Sequence, residues 1–139
     1  SFKNEKQCEE FLKNSSHAKN DMESDPLVTF GGMKLLRDGS ITGRTALFRN
    51  GYAGDKNNKG IEWHSLLYMR KICELAVKYN VPVAVHAMGE QAIDETISLF
   101  YEYFGKENKT RSSIIHCEFT IRNMLERIAA GNIPVLVQP

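Results

Sequence analysis

The sequence predicts an α/β protein built on a parallel sheet, and three observations carry that prediction. Apolar runs of strand composition alternate with stretches of helical periodicity 10 to 18 residues long, the pattern of successive right-handed βαβ units. The strand candidates are apolar at almost every position, as expected where helices cover both faces of a sheet. A joint also repeats: N-V-P-V-A-V at 80–85 matches N-I-P-V-L-V at 132–137, each directly after a helix end. Proline stands at both strand entries, where a missing N–H donor is tolerated. The 139 residues, 42% hydrophobic and 25% charged, suit one globular domain spanning 1–139.

Residues 1–26 read as a polar lead-in, with only the FL pair of EEFLKN suggesting a helix before a loop to Pro26. LVTFGGMKLL (27–36) is the first strand, its two glycines suiting close backbone approach in a curved sheet. The segment 37–60 is rich in Gly, Asn and Asp without periodicity, and a loop that long in a compact domain is usually functional or disordered. It is a candidate active-site loop. Trp63, Leu66, Leu67, Cys73, Ala76 and Tyr79 predict a helix over 62–79, with Asn80 as the residue of positive φ that ends it. A strand follows at 81–87, then a helix from about Gln91 to Phe104 on Ala92, Ile93, Ile97, Phe100 and Phe104, then a strand at 112–118. Thr120 is placed to cap a helix carrying Ile121, Met124, Leu125 and Ile128 and ending at Gly131. IPVLVQP is the fourth strand.

Composition excludes several function classes. The 18 basic and 17 acidic residues nearly cancel and are interspersed, so no electrostatic footprint for nucleic acid or an anionic membrane is present. Apolar runs fall well short of the roughly 20 residues of a membrane span, and SFKNEKQCEE lacks a signal-peptide pattern, so a cytoplasmic protein is expected. Cys8, Cys73 and Cys117 show no C-x-x-C spacing and are expected as reduced thiols. The chain starts without methionine and ends on a strand-like run, which reads as a piece of something longer.

Two apolar strands close on histidine. In a parallel α/β sheet ligands bind at the carboxyl ends of the strands, and His86 and His116, 30 residues apart, stand at equivalent places there. Imidazole at such a position serves as a metal ligand or general base, or as a hydrogen-bonded structural residue. Lys34, near the end of the first strand, is a third candidate, because an ammonium in an apolar setting is costly unless paired, neutralised or modified. Its other reading is a snorkelling surface lysine. His17 and His64 read as solvated bystanders. A Cys117/His116 dyad is disfavoured, since strand neighbours point to opposite faces.

The wording of KLLRDGSITGRTA (34–46), VHAMGEQAID (85–94), IIHCEF (114–119) and GNIPVLVQP (131–139), in that order and spacing, resembles the amidohydrolase superfamily, with the N-substituted formamide deformylase-like enzymes as the nearest branch. The resemblance implies a metal-dependent (β/α)₈ barrel. Its metal ligands are an H-x-H pair on strand 1, a carboxylated lysine or glutamate on strand 4, histidines on strands 5 and 6, and an aspartate on strand 8. Matched by motif, Lys34, His86 and His116 take the strand 4, 5 and 6 places, so the chain reads as a partial TIM barrel fragment, strands 4 to 7. Neither an H-x-H pair nor the strand 8 aspartate occurs here, so no catalytic residue is assigned within the chain. Glu90 and Gln91 stand where the family usually has Asp and Arg, and Ile115 where it has Glu.

The function implied is hydrolysis of C–N bonds in small amide-type substrates, other than peptide bonds, by a water activated on one or two divalent metals, with zinc expected. Arg44 in the 37–60 loop is a candidate substrate contact or a loop anchor. The isolated chain is expected to be inactive, to bind metal weakly or not at all, and to self-associate through its unpaired strands. Two other readings are an inactive fold fragment or binding module without metal, and a flavodoxin-like nucleotide binder, the latter disfavoured because no glycine-rich phosphate loop follows the first strand.

Overall fold

The structure, a computed structural model, describes residues 4–21 and 30–138, with the side chains of 15–21 outside it. Its elements are α1 (Glu5–Asp21), β1 (Met33–Leu36), α2 (Leu66–Tyr79), β2 (Val83–Ala87), α3 (Glu90–Phe104), β3 (Ser113–His116), α4 (Arg122–Ala130) and β4 (Val135–Leu136). The four strands form one all-parallel sheet in the order β1-β2-β3-β4, each joined to the next by a helix, the arrangement expected of part of a (β/α)₈ barrel.

The repeated joint accounts for the register. Asn80 and Asn132 both adopt left-handed backbone, φ 51° and 46°. Val81 and Ile133 then donate back to the carbonyls of Ala76 and Ile128, and both side chains are buried. The proline after each presents its carbonyl to the neighbouring strand: Pro82 accepts from Met33 N–H at 2.9 Å and Pro134 from Ile114 N–H at 3.0 Å. One sequence motif thus seats two strands.

Burial alternates along the strands, and the two faces differ. Met33, Leu35, Val83, Val85, Ala87 and Ile114 point to the helices and form the core with Met69, Ile72, Cys73, Ala92, Ile93, Ile97 and Phe100. The opposite face carries Lys34 and Leu36, Ala84 and His86, Ser113 and Ile115, in register across three strands. Val83 and Val85 are thus fully buried under the helices and do not face the barrel interior. The open face is smaller and more polar than the covered one.

Element ends differ from the sequence reading for local reasons. β1 starts at Met33, since Gly32 has φ +133° and a Cβ there would lie 2.7 Å from the Pro82 carbonyl oxygen. Residues 27–29 and Pro26 lie outside the described residues. α2 starts at Leu66, capped by Ser65, whose hydroxyl accepts from Tyr68 N–H. The preceding stretch runs beside β1 instead: Trp63 N–H donates to Arg37 O and His64 N–H to Leu36 O. Trp63 and Leu67 are consequently exposed rather than packed. The N-cap of α4 is Ile121, not Thr120, and Leu125 faces out. The polar lead-in holds a 17-residue helix that packs on α2 through Cys8 and Leu12, both buried.

Candidate functional site

His86 is the fourth residue of β2, and its ring stands on the open face near the strand's carboxyl end. His116 ends β3 in register with Ala87, a position that alternation would turn toward the helices. Its backbone escapes alternation: φ is 76° at His116 and 59° at Cys117, which breaks the extended run. The two rings meet edge to face with centroids 4.6 Å apart. The equivalence read from the sequence therefore becomes contact.

Lys34 shares that face but sits lower. It pairs with Ala84, two residues before His86, and its side chain is exposed instead of lying in an apolar setting. Two residues of strand span roughly 7 Å, a distance a lysine side chain can climb. Arg44, with φ 52°, is tied into its own loop. Its guanidinium lies over the Tyr52 ring at 5.3 Å and 3.9 Å from Asp55, and its carbonyl accepts from Asn58 Nδ2. Among the described residues no contact joins Arg44 to the histidines.

Two residues that the sequence reading passed over organise the strand ends. Asp38, fully buried, accepts Leu47 N–H (2.9 Å) and Gly89 N–H (2.8 Å) on Oδ2 and Met88 N–H (3.0 Å) on Oδ1. It clasps the loop after β1 to the turn after β2. Arg37, 1% exposed, binds Glu95 Oε2 at 2.7 Å, Glu62 Oε2 at 3.0 Å and the His64 carbonyl at 3.0 Å. Burial works against this charge, but the two carboxylates outweigh it and hold the Arg37 pKa above its usual range, while Arg37 pulls that of Glu62 down. The signal was present in R-D-G-S, a buried-charge pair at a strand end.

His64 is not a bystander either. Its Nδ1 accepts from Leu36 N–H at 3.1 Å while its own N–H donates to Leu36 O at 3.0 Å, so it occupies the free edge of β1 as a neighbouring strand would. Burial lowers its pKa. Cys117 is a buried thiol with its pKa pushed up to about 11 by burial, which leaves it protonated beside His116. Glu90 accepts Arg49 N–H on Oε1, and its buried Oε2 has no partner among the described residues. Ile115 lies on the open face opposite His86, an apolar side chain where the resemblance implied a carboxylate.

The donor set fits a divalent metal only in part. Among the described residues no three His, Cys, Asp or Glu side chains gather closely enough to hold an ion. Two imidazoles in contact, with Lys34 on the same face, fit part of such a centre and no more.

A family model described as the amidohydrolase family matches residues 5–139. The chain is 31% identical over 116 residues to the Bacillus subtilis (strain 168) protein named "Putative amidohydrolase YtcJ", a match covering 84% of this chain and 22% of that one. It is 30% identical over 112 residues to "Protein LONG AFTER FAR-RED 3" of Arabidopsis thaliana, covering 78% and 19%. Two solved structures, described as uncharacterized metal-dependent hydrolases, superpose with TM-scores of 0.73 (Pyrococcus furiosus, 25% identity) and 0.70 (Pyrococcus horikoshii OT3, 27%). Both matches cover 89% of this chain, and 27% and 26% of those. The chain thus spans from 19% to 27% of the length of these proteins.

Proposed function

Because the chain belongs to the amidohydrolase family, we propose that it supplies strands 4 to 7, and part of the metal centre, of a hydrolase acting on amide-type C–N bonds other than peptide bonds. The formamide deformylase-like branch is the nearest fit to its motifs. The observation that carries this reading is the contact between His86 and His116 on the open face that also holds Lys34. Strands 4, 5 and 6 of the barrel would be β1, β2 and β3.

Each residue has a distinct task. His86 and His116 would offer one imidazole nitrogen each to a divalent metal, with zinc the best match to such donors. Lys34, as a neutral amine, can add carbon dioxide with loss of one proton. The resulting carbamate turns a cation into an anionic oxygen donor on the same face. When bound, the metal supplies Lewis acidity and lowers the pKa of water. The loop 37–60 would border the substrate, with Arg44 at its exposed edge. Three buried free thiols are in keeping with a reducing compartment such as the cytoplasm. No helix among the described residues is long and apolar enough to cross a membrane.

The 139 residues contain no H-x-H pair, so these three donors make an incomplete centre. The chain on its own should bind zinc with a dissociation constant above the micromolar range, and should not hydrolyse amides, esters or N-formyl amines above buffer blanks. Calorimetric titration with zinc, repeated on His86→Ala and His116→Ala, tests this. Weak binding lost in both variants supports the reading. A submicromolar 1:1 site abolished by His86→Ala would show that the donor set is already complete, and zinc binding indifferent to both substitutions would remove the histidines from the site.

A further inference from the structure

We infer that Asp38 is a positioning residue that fixes which nitrogen of His86 is free to bind a ligand. The inference rests on the metal-dependent reading for its consequence, but its geometry stands without metal. His86 Nε2 lies 2.9 Å from the Gly39 carbonyl oxygen, and a carbonyl only accepts, so Nε2 carries the hydrogen. Asp38 Oδ1 lies 3.6 Å from the same nitrogen and is fully buried, a negative charge that favours N–H on the side facing it. In the neutral ring Nδ1 is then bare, and it is the nitrogen with a lone pair to give.

Three features make Asp38, rather than Gly39 alone, the origin of this arrangement. Its carboxylate gathers the N–H groups of Met88 and Gly89, two and three residues beyond His86, and so sets where the strand end turns. It gathers Leu47 N–H from the loop after β1, which closes that loop over the same turn. It also precedes Gly39 directly, so the carbonyl that receives His86 is placed by the residue whose side chain holds the turn. A carboxylate offers four lone-pair sites and meets three N–H donors with them, whereas an amide in its place has one oxygen and must turn an NH₂ toward other N–H groups.

The test is the tautomer of His86 in metal-free protein, read from long-range ¹H–¹⁵N spectra of imidazole-labelled chain at mildly alkaline pH. Wild type should show His86 with a protonated, pyrrole-like Nε2 and a bare Nδ1, and slow amide exchange at Leu47 and Gly89. In Asp38→Asn, His86 should become a mixture of tautomers, while His64, held by Leu36 on the far edge of β1, keeps its own. Amide exchange at Leu47 and Gly89 should quicken roughly tenfold or more. A merely structural role would leave the His86 tautomer unchanged in a folded variant, and that result would overturn the inference. Should Asp38→Asn fail to fold, Asp38→Glu, which keeps the charge but displaces it, is read in the same way, an unchanged His86 tautomer with quickened exchange at Gly89 overturning the inference. A protonated Nδ1 on His86 in wild type contradicts it outright. Failure here leaves the zinc titration intact, and failure of the zinc titration leaves this tautomer intact, so the two readings fall separately.

Discussion

Gly89→Ala tests the clasp between the loop after β1 and the turn after β2. Gly89 has φ −76° and ψ 154°, a conformation open to any residue, so only space excludes a side chain. A Cβ there would lie 2.2 Å from the carbonyl oxygen of Leu47, 2.5 Å from its nitrogen and 2.7 Å from its carbonyl carbon. These are backbone atoms, and they are pinned: Leu47 N–H is held by Asp38 at 2.9 Å, and Leu47 O accepts from Gln91 N–H at 3.1 Å. Ordinary contact requires the peptide to recede by roughly 1 Å, with the overpacking itself costing about 1–3 kcal/mol. Losing a hydrogen bond to a buried carboxylate adds about 1.5–3 kcal/mol. The expected loss of about 2.5–6 kcal/mol is a large part of a domain's usual margin of about 5–15. Urea denaturation followed by far-ultraviolet circular dichroism measures it, with Gly31→Ala as the control, since a Cβ at Gly31 meets nothing within 4 Å. A Gly89→Ala cost below about 1 kcal/mol, indistinguishable from a tolerated surface change, would refute the clasp.

Two further outcomes follow from the edges of the sheet. Burial holds His64 below its ordinary value of 6.5, so as pH falls the unfolded chain takes up the proton first. The stability given by its neutral ring is complete above 6.5, and is lost as pH falls from there through the lower folded value, because a protonated Nδ1 cannot accept from Leu36 N–H. His64→Gln should flatten the part of the urea midpoint profile that falls away as pH drops below 6.5, and an unchanged profile would free His64 from this role. The second outcome is self-association: β4 is an edge strand, β1 is met at its outer edge only near Leu36, and Leu36, Ile115 and Leu136, in one register row with His86, leave apolar surface on the face that no described helix covers. Light scattering at micromolar concentration should show a species larger than one chain, and a stable monomer would count against it.

What the sequence disclosed was what repeats or alternates. Four strands, their parallel order and the joints at Asn80 and Asn132 followed from apolar runs, helical spacing and one echoed motif. The two faces of the sheet were harder to assign, because strands apolar throughout give no contrast between sides, and the large valines went to the helix side. Helix α2 began four residues later than its spacing suggested, since the N–H groups of Trp63 and His64 donate to the carbonyls of Arg37, just past β1, and Leu36, its last residue, long-range bonds that local spacing does not encode. His86 and His116 were legible as strand-end residues. The turn that brings the His116 ring to His86 was not, because it depends on two non-glycine residues with positive φ. Asp38 was visible only as a letter in D-G-S, and its three backbone partners come from positions 9, 50 and 51 residues further on.

That Lys34, His86 and His116 share one metal-facing surface can be measured by adding cobalt(II), with bicarbonate present, to isotopically labelled chain and following paramagnetic broadening. The imidazole signals of His86 and His116 should broaden first and together, followed by the side-chain methylenes of Lys34, while the His64 ring, bonded to the Leu36 edge, stays sharp. Broadening centred on His64, or reaching His86 without His116, would contradict the shared site.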